Sequence, residues 1–207
     1  MKQIVSVASL CMLITTPVSA ELLFEPYVGV NASHHDIDGS KIFNNSQRFS
    51  VDTDTSGLGL VIGARVFQRD NFFTELEYSY EDVGETLDSS NTLAGNEGFN
   101  RFEDMHSLVI NMHYGFSEAS SAYLKFGIAR GDFSTEGAVA PLKHDFNETG
   151  YIYGLGYRYQ FSDHWAAKAD YSVVDFDPGL NIDSAGSDLK VDKAESQKLT
   201  FAVTYSF

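Results

Sequence analysis

Three groups of residues have side chains of the kinds that catalysis or metal binding needs. Asp52-Thr53-Asp54-Thr55-Ser56-Gly57 sets oxygens at alternate positions ahead of a glycine, as the opening of a calcium-binding loop does. Such a loop also needs a bidentate Glu six residues beyond that glycine. Gly63 stands there, inside an apolar alternating run, so no calcium-binding hand is expected. His106, Ser107 and His113 offer a base and a nucleophile. In an extended chain two side chains share a face only at even separations, and the nearest such pair is two residues apart. His106 and Ser107 are adjacent, and His113-Tyr114-Gly115 has no serine. A base and a nucleophile therefore do not come within hydrogen-bond reach on this pattern, and no enzyme is expected. His34-His35 with Asp36 and Asp38 are metal-ligating types, but neighbours on a strand diverge. They read as loop decoration, and the chain implies no metal and no cofactor.

A second set of charged residues has a more regular setting. Arg65, Glu75, Glu77, Lys125, Arg158, Lys168 and Asp170 each stand in mid-segment, alternating with apolar residues. The last segment shows the rule: Leu199, Phe201, Val203, Tyr205 and Phe207 alternate with Lys198, Thr200, Ala202, Thr204 and Ser206. Strand side chains point to opposite faces in turn, so one face is wholly apolar and the other is small or polar. The same reading gives seven further strands, with apolar faces Phe24/Val28/Val30/Ala32, Leu58–Val66, Phe72–Tyr80, His106–Phe116, Leu124–Ile128, Tyr151–Phe161 and Trp165–Val173. The opposite faces hold the charges together with Gly29, Gly59, Gly63, Gly127, Gly154 and Gly156.

Three features separate this chain from a soluble sandwich. Charges and glycines share one face, as a crowded polar interior requires. Aromatics gather at the ends of the apolar faces, with Phe72, Phe116, Phe161, Trp165 and Phe207 at one end and Tyr80, Tyr151 and Phe176 towards the other. Connections alternate between short (68–71, 117–121, 162–164) and long and hydrophilic (about 35–55, 81–101, 134–147, 177–196). An open sheet edge in hydrocarbon leaves unpaired backbone groups that cost several kcal/mol each, so strands span a membrane only as a closed barrel. The expected fold is all-β: a closed antiparallel transmembrane β-barrel of eight strands, with short periplasmic turns and long extracellular loops.

Lys2, the apolar run Ile4–Ile14 and Val18-Ser19-Ala20 have the form of an export signal. Residues 1–20 are therefore read as a cleaved signal peptide and 21–207 as one barrel domain in the bacterial outer membrane, with periplasmic N- and C-termini. The one cysteine, Cys11, falls in the signal. A formal net charge of −15 argues against nucleic acid as a partner, since neutralising phosphates takes clustered Lys and Arg.

Gly150-Tyr151-Ile152-Tyr153-Gly154-Leu155-Gly156-Tyr157-Arg158-Tyr159-Gln160-Phe161-Ser162-Asp163-His164-Trp165, followed by Ala169-Asp170-Tyr171, resembles the sixth strand, tight turn and seventh strand of small outer-membrane barrels of the OmpA/OmpX/Ail-like superfamily. Pro26-Tyr27-Val28-Gly29-Val30 resembles that family's first strand and Tyr205-Ser206-Phe207 its terminal aromatic. The resemblance implies recognition of the last strand by the barrel-assembly machinery through Phe207 and, in some members, adhesion through the loops.

Eight strands leave an interior that side chains fill. The seven inward charges are thus read as a lumenal ion-pair network, because unpaired charges in so confined a space are costly. His113 is expected to join that network and His106 to sit at the membrane interface. The function expected is that of a structural surface protein with a plugged lumen, whose acidic loops mediate adhesion or envelope integrity. Its partners would be outer-membrane lipid and lipopolysaccharide, the barrel-assembly machinery and a host or phage surface ligand. A narrow pore or small-ligand carrier and a lipid A-modifying enzyme are the alternatives.

Overall fold

The computed structural model of the chain describes residues 24–43, 47–83, 98–137, 143–176, 181–184 and 187–207. In chain order the strands are β1 (Glu25–Phe43), β2 (Gln47–Arg69), β3 (Phe72–Asp82), β4 (Gly98–Gly115), β5 (Ser120–Gly137), β6 (Lys143–Gln160), β7 (Trp165–Phe176), β8 (Asn181–Ser184) and β9 (Ser187–Ser206). Each pairs antiparallel with the next from β1 to β7, then β7 pairs with β9 and β9 returns to β1. These eight strands close the barrel. The four-residue β8 pairs only with the upper part of β9, Asn181 facing Lys190 and Ser184 facing Ser187.

Two-residue alternation explains which way each side chain points. On β4, Leu108, Ile110, Met112 and Tyr114 lie outward and are 45–48% exposed, while Met105, Val109, Asn111 and His113, of the opposite parity, are buried. The same alternation exposes Leu58, Leu60 and Ile62 on β2 and Leu199, Phe201 and Val203 on β9. An apolar belt encircling the whole molecule far exceeds the few hundred Å² patches that soluble monomers expose, and hydrocarbon is the solvent that fits it.

Short connections gather at one end with Phe24 and Phe207, whose amide donates to the Pro26 carbonyl (3.2 Å). Asp70, between β2 and β3, takes φ 52°, a left-handed conformation that Asp tolerates better than most residues. Ser162 closes the β6–β7 turn by accepting the Trp165 amide on its hydroxyl (3.1 Å).

At the other end the strands run far past the lipid-facing belt. The stretches read as loops at 35–55, 134–147 and 177–196 are largely strand: β1 reaches Phe43, β2 begins at Gln47, and Asp36 lies opposite Asp54. The calcium-loop look-alike at residues 52–57 is thus a strand segment. Above the membrane neither face of a strand needs to be greasy, so the two-residue signal fades there while backbone pairing continues. Phe176 also departs from expectation. It points inward and is 2% exposed, because its parity on β7 is that of Lys168 and Asp170 rather than of Trp165 and Tyr171.

Candidate functional site

The interior divides into two halves. Nearer the short-turn end, Lys168 Nζ donates to Glu75 Oε2 (2.7 Å), Glu77 Oε2 (2.8 Å) and the Tyr27 hydroxyl (3.1 Å). Tyr27 in turn donates to Glu77 (2.8 Å). Lys125 donates to Asp170 Oδ1 (2.6 Å), and the Tyr123 hydroxyl donates to Asp170 Oδ2 (3.0 Å). Arg158 Nε stands 3.8 Å from Glu75, while its terminal nitrogens donate to Gln160 (3.2 Å each). His113 has one ring nitrogen 3.3 Å from Glu75 and the other 3.1 Å from Ser121, so pairing across the β4–β5 ladder brings a serine within reach of a histidine where spacing along the chain predicted none. Its ring stacks on Phe73 with centroids 4.2 Å apart.

Six of the seven expected residues therefore lie together and buried: Glu75, Glu77, Lys125, Arg158, Lys168 and Asp170. Arg65 stands apart at the short-turn mouth. It pairs with Glu25 at 3.1 Å, the two side chains being 18% and 46% exposed, and its guanidinium lies over Phe73, 4.3 Å from the ring centroid. The β2–β3 register shifts just beyond it in the chain, between Arg65 and Phe67.

Glycine makes the space for this half. A Cβ on Gly63 would collide with the ring and hydroxyl of Tyr27, and one on Gly156 with those of Tyr123. Each tyrosine lies over the bare backbone of the neighbouring strand and delivers its hydroxyl to a carboxylate on the strand beyond, Tyr27 to Glu77 and Tyr123 to Asp170.

Towards the long-strand end the interior is of two kinds. On one wall Glu81 accepts hydrogen bonds from Lys198, from Asn31 Nδ2 (2.7 Å) and from the Ser33 hydroxyl (3.1 Å). His35 lies 3.2 Å from Glu81 through Nε2 and 3.2 Å from the Ser196 hydroxyl through Nδ1. On the other wall Val83, Phe102, Met105, Val109, Ala129, Ile152, Val174 and Phe176 pack together, with Ile37 against them. A register shift between Phe102 and Asp104 places Phe102 inside, edge-on to His35 (centroids 5.7 Å apart).

Sequence reasoning missed this second cluster. It assigned His35 and Glu81 to loops, although Glu81 continues the parity of Glu75 and Glu77, and His35 that of Tyr27 and Asn31. Extending the alternation by two or three residues finds both. The divergence of His34 and His35 is as expected: His34 is exposed beside Ser56 (3.2 Å), while His35 is buried.

On the outer surface, His106 lies at the long-strand edge of the apolar belt. Its Nδ1 is 2.7 Å from the Tyr78 hydroxyl, and its ring centroid is 5.0 Å from that of Tyr80. Just beyond the belt Asp104 faces Asp132 across the β4–β5 ladder. Partial burial, together with the neighbouring Asp132 carboxylate, holds Asp104 above the ordinary aspartate value.

A closed sheet with a greasy exterior and a charged interior defines a transmembrane β-barrel. A family profile for the outer membrane protein beta-barrel domain matches residues 5–207, and the chain belongs to that family of the bacterial outer membrane. No curated protein matches the chain in sequence. Among solved structures it is similar to the outer membrane protein OprG from Pseudomonas aeruginosa, at 16% identity over 90% of this chain and 97% of that one, with a TM-score of 0.57. Neisserial surface protein A is similar at 12% identity over 92% and 100%, with a TM-score of 0.50. The attachment invasion locus protein Ail of Yersinia pestis, in complex with the heparin analogue sucrose octasulfate, is similar at 14% identity over 88% and 99%, also with a TM-score of 0.50. At such identities the likeness is one of fold.

Proposed function

We propose that this chain is a non-enzymatic surface protein of the outer membrane whose lumen is plugged by its own side chains and whose acidic long loops meet partners outside the cell. The observation that carries the reading is the mutual pairing of the lumenal charges. Lys168 sits between Glu75 and Glu77, Lys125 on Asp170 and Lys198 on Glu81. An ion entering the lumen would have to displace partners already within hydrogen-bond distance, in a space that eight strands leave only wide enough for side chains.

Residues 1–20 act as a cleaved export signal in this reading. The short turns and both chain ends face the periplasm, and the terminal strand is handed to the barrel-assembly machinery through Phe207, which is 71% exposed. Lipopolysaccharide surrounds the outer half of the belt. Ail is crystallised with a sulfated sugar analogue. A chain of formal net charge −15 has the wrong sign for such a polyanion, and a basic patch on a host or phage protein complements its loops.

Planar-bilayer recording of the purified protein tests the plug, with silence expected. Reproducible single-channel steps that vanish on replacing Lys125 or Arg158 would refute it. For the loops, whole cells carrying the protein with residues 84–97 removed, a deletion that spares Glu81, should bind basic host surfaces more weakly than cells with the full chain. Equal binding would exclude that loop as the contact.

A further inference from the structure

Two carboxylates and an imidazole converge on the outer rim without any role in the lumen or the lipid belt. Asp104 and His106 share the outward face of β4, and Asp132 stands directly across from Asp104 on β5. One ligand atom from each can be chosen so that all three lie within 4.8 Å of one another. Like charges facing each other across a ladder oppose strand pairing, so the pair needs something positive. Arg130 partly meets this need, its Nε being 3.7 Å from Asp132. It does not reach Asp104, whose Oδ1 is closed to solvent and, among the described residues, accepts no hydrogen bond, the His106 ring nitrogen standing 3.5 Å away. Asp82 flanks Asp104 from β3 and Glu103 precedes it in the chain, which adds further negative charge.

The geometry points to a binding site for a divalent transition-metal cation of the zinc class at Asp104, His106 and Asp132, with Tyr78 as its positioning residue. His106 Nε2 is 3.5 Å from Asp104 Oδ1, close to the ~3.3 Å that separates two ligands each about 2.0 Å from a tetrahedral metal. Nδ1 of the same ring is 2.7 Å from the Tyr78 hydroxyl. When that nitrogen donates to Tyr78, the Nε2 lone pair is left facing the carboxylates, which is the outer-shell arrangement that orients histidine ligands of metals. The Tyr80 ring also packs against the imidazole, centroids 5.0 Å apart, so the imidazole is held before any ion arrives. One nitrogen and two carboxylate oxygens favour zinc-class ions over calcium, which takes six to eight oxygens. Three protein ligands leave a coordination position open, at the level where the apolar belt gives way to the polar rim.

Full-length protein folded in detergent micelles and stripped with chelator should bind about one equivalent of Co²⁺. A d–d absorption band should appear and be displaced by Zn²⁺. His106→Ala, Asp104→Asn and Asp132→Asn should each weaken Zn²⁺ binding at least tenfold. Tyr78→Phe should weaken it about 10–100-fold while leaving all three ligands in place. Asp175→Asn, the same charge change at an exposed site on β7, should leave it unaltered. Retained Zn²⁺ affinity in His106→Ala, an equal loss in Asp175→Asn, or Ca²⁺ binding as tight as Zn²⁺ would each overturn the assignment. A measurement needing no variant gives the same decision: Zn²⁺ should shift the imidazole ¹⁵N signals of His106 in the unaltered protein, and unmoved signals would refute the site.

Discussion

The two halves of the lumen place charges in the same confined space by different means. Near the short turns, two lysines, an arginine, three carboxylates and two tyrosines share partners, and Lys168 alone serves Glu75, Glu77 and Tyr27. Near the long-strand end a single carboxylate, Glu81, collects Lys198, Asn31, Ser33 and His35, and apolar packing fills the remaining wall. One half relies on a shared cation, the other on a buried anion ringed by several protein donors. In the first half the loss of one group strands several others. In the second the remaining donors limit the damage.

Substitution of that shared cation should separate the halves most clearly. Lys168→Met leaves Glu75 and Glu77 side by side without their common cation and should cost about 3–5 kcal/mol, read from equilibrium unfolding in lipid vesicles. Lys198→Met removes one donor from Glu81 but leaves Asn31, Ser33 and His35, and should cost only about 1–3 kcal/mol in the same assay. A loss on Lys198→Met as large as that on Lys168→Met would dissolve the distinction between the halves. Gly63→Ala probes the crowding of the charged half. Its new methyl must displace the Tyr27 ring that donates to Glu77, at a cost of about 1–3 kcal/mol, and a crystal structure of the variant should show that ring moved. Arg65→Ala marks the boundary: its pair with half-exposed Glu25 is screened by water, so the loss should be under about 1 kcal/mol.

Much of the charged half could be read from alternation alone, because the belt outside it is continuous and any residue out of phase with the belt must point in. That argument picks out Glu75, Glu77, Lys125, Arg158, Lys168 and Asp170 without knowledge of a partner. It does not reveal that Arg65 pairs with Glu25 at the mouth, since parity gives the face a side chain occupies and not its partner. The far half was harder to see. Glu81, His35 and Lys198 come from three strands distant in the chain, and their contact depends on the β9–β1–β2–β3 register. Strands that continue past the lipid lose the greasy face from which parity is judged, so His35 looked like loop. Phe176, an aromatic near a strand end, looked like a girdle residue, although parity places it inside. The rim cluster at Asp104, His106 and Asp132 was invisible for a similar reason: His106 was placed at the interface, but cross-strand pairing, not sequence spacing, brings Asp132 to it.

Cysteine scanning of β4 in lipid bilayers tests most directly the claim that one strand separates lipid from a sealed interior. Single cysteines at Leu108, Ile110 and Met112 should react with a lipid-soluble thiol reagent, and those at Ser107, Val109 and Asn111 with neither that reagent nor a small water-soluble one. Ready labelling of 107, 109 and 111 from water would show an open lumen, and equal labelling of both sets by the lipid-soluble reagent would show that the strand does not line a barrel wall.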